Sequence, residues 1–207
     1  MTLREISALI STVLVTAGTV WYVVLALREI KVKPVLASWV VIFGTMTLSF
    51  ATYWTTPNHS LIANACNAIS ILSTGAILVV AIVLNRRYGK GLTFSSFQKK
   101  SLWASLVIAL IWVALVWGFH GTGIVPNVMT QVLMLIGYGV TAEKLWYAKG
   151  NNESMFTWWC ILVAAMVALY TGIVSKDKLV ILYASRTTFG TVVLIYLMHR
   201  AEKRTGR

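Results

Sequence analysis

The chain has 207 residues, of which 58% are hydrophobic and only 12% charged, and it carries a formal net charge of +12 at pH 7. With a mean hydropathy of +0.77 this balance excludes a water-soluble domain with a polar surface and indicates an integral membrane protein. The surplus of cations raises nucleic acid as a partner, but their distribution along the chain argues against it.

Seven apolar segments are legible, at 6–27, 35–54, 62–85, 101–118, 126–147, 155–174 and 179–198. A helix rising about 1.5 Å per residue needs about 20 residues to cross a hydrocarbon core about 30 Å thick. Lipid cannot satisfy exposed backbone groups, and the short alternating strands of a barrel are missing, so the segments read as helices. The expected fold is an all-α integral membrane protein with seven transmembrane helices. The first segment follows Met-Thr-Leu-Arg-Glu and has no small-residue cleavage site, so it reads as a retained span rather than a signal peptide.

In the first span Thr12, Thr16 and Thr19 make a polar stripe, expected to face protein or water. Pro34 suits the first turn of a second helix, whose Ser38, Thr45, Ser49 and Thr52 form another polar face with Trp39 near its start. The third span opens with Asn64 and Asn67, followed by Ser70 and Thr74 on one face. Amides in a bilayer need partners, and two readings fit them: an interhelical clamp, or a pocket that hydrogen-bonds a polar solute.

The stretch 85–100, NRRYGKGLTFSSFQKK, is basic and free of acids, and 101–118 is a charge-free run bearing tryptophans. The fifth span carries Gln131, Gly137 and Gly139 and ends in Glu143 and Lys144; the loop 149–153 leads to a sixth span beginning Ser154-Met-Phe-Thr-Trp-Trp. Arg186 is the one charge well inside a span, about two turns from the start of the seventh. It either snorkels to the head groups or points into an aqueous cavity as a two-pronged site for a carboxylate, a phosphate or a polar oxygen. The tail AEKRTGR reads as a solvated basic end.

With seven spans, Arg28, Lys31, Lys33, Arg86, Arg87, Lys90, Lys99, Lys100, Lys144, Lys149, Arg200, Lys203, Arg204 and Arg207 all fall on one side. That side is cytoplasmic by the positive-inside rule, which places the N-terminus outside and the C-terminus in the cytoplasm of a cell-membrane protein. The basic loops are thereby accounted for as partners of anionic lipid head groups. Cys66 and Cys160 lie inside spans and no Cys/His cluster exists, so neither a disulfide framework nor a metal site is expected.

An ungapped shift of 120 residues lays 11–74 on 131–194 and pairs span with span, matching Val20 with Val140, Leu25 with Leu145, Trp39 with Trp159 and Met46 with Met166. The chain therefore divides into a first triple-helix bundle (1–85), a basic loop and linker helix (86–118), and a second bundle with a basic tail (119–207). An odd-numbered unit duplicated in one orientation needs one inverting span, and 101–118 supplies it. Parallel repeats of this kind place a solute site between the halves near midplane.

This 3+1+3 plan resembles the SWEET, PnuC and PQ-loop superfamily of small-solute transporters, to which the KDEL-receptor fold is also similar. Lys31-Val-Lys-Pro-Val-Leu-Ala-Ser-Trp39 is similar to the opening of the second helix in bacterial members. In the sugar transporters a Trp on the second helix and an Asn on the third line the substrate site in each half. The resemblance thus implies Trp39 and Asn67 in the first half, and Trp159 with Thr187 in the second. Thr187 stands where a second Asn would, and there is no Pro-Gln dipeptide or mid-helix proline hinge.

No constellation of acid, base and nucleophile is visible, so no catalytic residue and no cofactor is expected. His59 and His120 fall in loops and His199 ends the last span; every acid lies at a span end or in a loop. A retinal protein would need a lysine inside 179–198, which holds none. The expected function is a facilitative carrier for a small polar metabolite such as a sugar, vitamin or small anion. Its site would draw on Trp39, Asn64, Asn67, Trp159, Arg186 and Thr187. The alternative is a ligand-binding receptor or assembly module on the same fold, and the pattern is compatible with a homo-oligomer.

Overall fold

The computed structural model describes residues 2–28, 32–54, 61–87, 94–118 and 124–205, and for 53–54, 61–67, 124 and 205 the backbone only. Among these residues every regular element is helical: α1 (Leu3–Leu27), α2 (Leu36–Trp54), α3 (Leu61–Arg87), α4 (Ser96–Val113) with a π-helical turn over Ala114–Gly118, α5 (Ile124–Tyr147), α6 (Met155–Val174) and α7 (Lys178–Thr205). Six are long and apolar enough to cross a membrane, and α2 is a shorter apolar helix, consistent with a multi-pass membrane protein.

Local chemistry sets several helix ends. Thr2 and Glu5 form a reciprocal capping box at α1, and Ser95 and Gln98 form another at α4. The second box starts α4 five residues before the expected span and draws Lys99 and Lys100 into its first turns. Ser154 caps α6, and the Asp177 carboxylate accepts from the backbone of Leu179 and Val180 at the head of α7. The tail is exposed at Glu202, Lys203 and Arg204, as expected of a solvated end, yet α7 continues helical to Thr205. Arg200 stacks on the Trp146 ring at 3.9 Å and Arg204 donates to the Trp146 carbonyl at 2.7 Å, so α5 holds the extra turns in place.

The helices close into a ring. α1 packs on α3 and α6, α3 on α2, α2 on α5, α5 on α7, and α7 on α6; α4 lies outside against α2 and α5. Replacing α1, α2 and α3 by α5, α6 and α7, and the reverse, leaves this set of ring neighbours unchanged. α4 is tied in by Trp112, which donates from Nε1 to Thr52 at 3.1 Å, while Trp103 and Trp117 are 67% and 70% exposed. An outer face with that much bare apolar surface suits lipid rather than water.

Where the halves meet, one contact occurs twice. Ser38 of α2 donates to the Gly137 carbonyl of α5 at 2.7 Å, and Thr157 of α6 donates to the Gly18 carbonyl of α1 at 2.7 Å. Both glycines allow the close approach: a Cβ at Gly137 would stand 2.7 Å from Ile42, and one at Gly18 3.1 Å from Cys160. Beside them Trp39 packs edge-on against Tyr22 (5.4 Å), and Trp158 against Tyr138 (5.9 Å). Thr52 and Thr171 each bond back to the carbonyl four residues earlier.

The recurring contacts do not follow the 120-residue shift. Gly18 with Gly137, Ser38 with Thr157, Trp39 with Trp158 and Thr52 with Thr171 all lie 119 residues apart rather than 120. The polar stripe of α1 is corrected too: Ser7, Ser11, Thr19 and Tyr22 are buried, but Thr16 is exposed. Ser11 donates to the Ala164 carbonyl, so the buried stripe is the one facing α6. In α2 the expected stripe does face protein, since Ser38, Thr45 and Thr52 are all buried.

Candidate functional site

One end of the ring is tied together by a polar cluster. Here the segment before α2 meets the segment before α6: the Lys33 N–H donates to the Asn152 carbonyl at 3.0 Å. Those two residues are themselves 119 apart. A residue bonded to its own counterpart lies on the axis relating the two sets of contacts. The return bond is replaced by a side chain, because the Lys144 ammonium from the end of α5 donates to the Lys33 carbonyl. Lys144 also reaches the Asn152 carbonyl at 3.4 Å and pairs with Glu153 at 2.8 Å.

Glu153 is buried, its side chain 1% exposed, and each of its carboxylate oxygens has a partner. One carboxylate oxygen takes Lys144 and the other accepts the Tyr22 hydroxyl of α1 at 2.9 Å. Its backbone N–H is held by Asn151, whose side-chain amide donates in turn to Glu202 of α7. The cluster therefore joins α1, α5, α7 and two connecting segments at one level. A charge pair so desolvated holds only while both members are present, which makes it a latch.

The second polar locus lies toward the opposite end, on α5 and α7. Arg186 is 8% exposed and its Nε and Nη1 have no hydrogen-bond partner among the described residues; its guanidinium sits 4.8 Å from the Tyr183 ring centroid. It does not snorkel to an exposed position. Gln131 of α5 is 6% exposed: its Nε2 donates to Asn127 and Thr130, but its Oε1 has no partner.

The residues expected at a site are placed unevenly. Trp39 is buried at the fourth position of α2, and Thr187 is buried with its hydroxyl donating to the Tyr183 carbonyl at 3.0 Å. Trp159 is 46% exposed on the outside of α6, while its neighbour Trp158 is buried. One residue on a helix turns a side chain by about 100°, so the 120-residue shift pairs Trp39 with the outward-facing member of the Trp-Trp pair. The side chains of Asn64 and Asn67 lie outside the described residues. At the structural offset Asn67 corresponds to Arg186, not to Thr187. Arg186 and Thr187 are adjacent in α7, whereas Trp39 belongs to the latched end.

Tyr22, Lys144 and Glu153 were not expected at a site. An acid just ahead of a helix resembles an ordinary capping residue, and the partner that buries it is 131 positions away. No family model matches the chain, and neither a curated protein nor a solved structure matches it.

Proposed function

We propose that the chain is a facilitative carrier for a small polar metabolite, a sugar, vitamin or small anion, working by alternating access. In this reading α1–α3 and α5–α7 are two parallel three-helix units, α4 is the inverting linker, and the plan is that of the SWEET, PnuC and PQ-loop superfamily. The set of neighbours that survives exchange of the two units, and the Ser38–Gly137 and Thr157–Gly18 contacts repeated at 119 residues, support it.

The observation that carries the reading is the bond between Lys33 and Asn152, at the junction of the units, with the Lys144–Glu153–Tyr22 latch beside it. A charged joint at the mouth of a helix ring can be exchanged for water when the units rock apart. The latched end carries the basic segments, so it faces the cytoplasm and anionic head groups, with the N-terminus outside and the C-terminus inside. The structure then corresponds to the inward-closed member of an alternating pair.

Proteoliposomes test this. Saturable, stereoselective uptake of one solute from a panel of sugars, vitamins and small anions is the expected result, with a reporter after Arg207 active only in the cytoplasm. Binding without flux would instead make the protein a receptor, and non-saturating conductance would make it a pore.

A further inference from the structure

Arg186 and Gln131 are on faces that meet. A Cβ at Gly190 of α7 would overlap the Tyr138 ring of α5, so these two positions oppose each other across the α5–α7 contact. Both helices run away from the same end of the ring. Gln131 lies seven residues before Tyr138, and Tyr183 lies seven before Gly190. Seven residues are about two turns, so Gln131 shares the face of Tyr138, Tyr183 shares the face of Gly190, and the two stand at one level. Arg186, four before Gly190, carries its guanidinium back over the Tyr183 ring and so to the level of Gln131.

At that level the protein presents unmatched donors on one helix and an unmatched acceptor on the other. The donors are guanidinium N–H groups; the acceptor is the Gln131 Oε1. The ion pairs among the described residues are Arg4 with Asp177, Lys144 with Glu153 and His199 with Glu202, so none neutralises Arg186. A buried guanidinium without a counter-ion calls for an anion, and a carboxylate fits its planar fork. A buried amide oxygen beside it calls for a donor. Gln131 and Arg186 correspond at the 119-residue offset to Thr12 and Asn67, so only the second unit brings a charge to this level.

We propose that Arg186 and Gln131 form the binding site for a small carboxylate carrying a hydroxyl or amino group on the adjacent carbon, the carboxylate on Arg186 and the donor on Gln131 Oε1. The inference rests on the reading of the ring as a solute-binding fold and narrows the solute to a 2-hydroxy or 2-amino acid. A neutral sugar would leave the guanidinium uncompensated.

The test uses the full chain in micelles of a neutral detergent, with ligand-induced thermal stabilisation and tryptophan fluorescence as readouts and lactate, alanine, propionate, lactamide and inorganic phosphate as probes. Lactate or alanine is expected to bind, and the matching amide, lactamide for lactate, at least about tenfold more weakly, because it loses the charge. Arg186→Lys should weaken binding nearly as much as Arg186→Ala, since the fork is lost in each. Gln131→Leu should erase the preference for lactate over propionate while leaving propionate itself bound. If the Arg186 variants fail to fold, the comparison of lactate with lactamide on the unaltered chain decides. The proposal is overturned if neither lactate nor alanine binds, if lactamide binds as well as lactate, if Arg186→Lys binds like wild type, or if phosphate alone binds. Lactate binding without flux would leave the site standing and remove the carrier; flux of a neutral solute untouched by Arg186→Lys would do the reverse.

Discussion

At the scale of single residues, the latch concentrates its energy in Glu153. The carboxylate has the Tyr22 hydroxyl on one oxygen and the Lys144 ammonium on the other, and it is almost fully withdrawn from solvent. Tyr22→Phe removes one hydrogen bond to a charged acceptor, a loss of about 1.5–3 kcal/mol. Glu153→Gln keeps an acceptor for Tyr22 but leaves the Lys144 charge without its counter-ion, and removal of one partner of a buried pair costs about 3–5 kcal/mol. Lys144 is 16% exposed and has backbone carbonyls to fall back on, so the lower part of that range applies. Detergent-denaturation midpoints should therefore order wild type above Tyr22→Phe and Tyr22→Phe above Glu153→Gln. The reverse order of the two variants would mean that the ion pair adds nothing to the closure.

At the scale of elements, small residues decide which helices come close. Ala in place of Gly in a helix is ordinarily worth up to about 1 kcal/mol. At Gly139 nothing stands within 4 Å of an added Cβ, so Gly139→Ala should raise stability by about that amount. At Gly190 the Tyr138 ring occupies the space, and Gly190→Ala should lower stability by about 1–3 kcal/mol as α5 and α7 are forced apart. Thermal unfolding of the two variants checks the sign in each case. The helices themselves were legible: apolar runs of the right length fixed all seven, and the Ser95–Gln98 and Thr2–Glu5 boxes are visible as residues. The last turns of α7 were not, because Arg200 and Arg204 are ordered by Trp146, which is remote in sequence.

At the scale of the whole molecule, the ring predicts a lock. The backbone bond between Lys33 and Asn152 brings the two positions within reach of a disulfide, whose Cα atoms stand about 4.4–6.8 Å apart. In a background with Cys66 and Cys160 replaced by Ala, the Lys33→Cys/Asn152→Cys pair should cross-link under oxidation and, under the carrier function proposed above, stop flux and regain it on reduction, while ligand binding from the opposite end persists. Undiminished flux through the cross-linked protein would mean that this end does not open. Sequence alone determined the class of molecule, the run of apolar helices and the oddness of Arg186, since length, hydropathy and charge are properties of residues taken singly or in runs. Tertiary structure alone decided that Trp158 rather than Trp159 turns inward, that Ser38 and Thr157 each meet a glycine carbonyl of another helix, and that Glu153 is buried. Each of those depends on which face of a helix meets a neighbour, and a one-residue change of register, invisible in an apolar sequence, turns that face by about 100°.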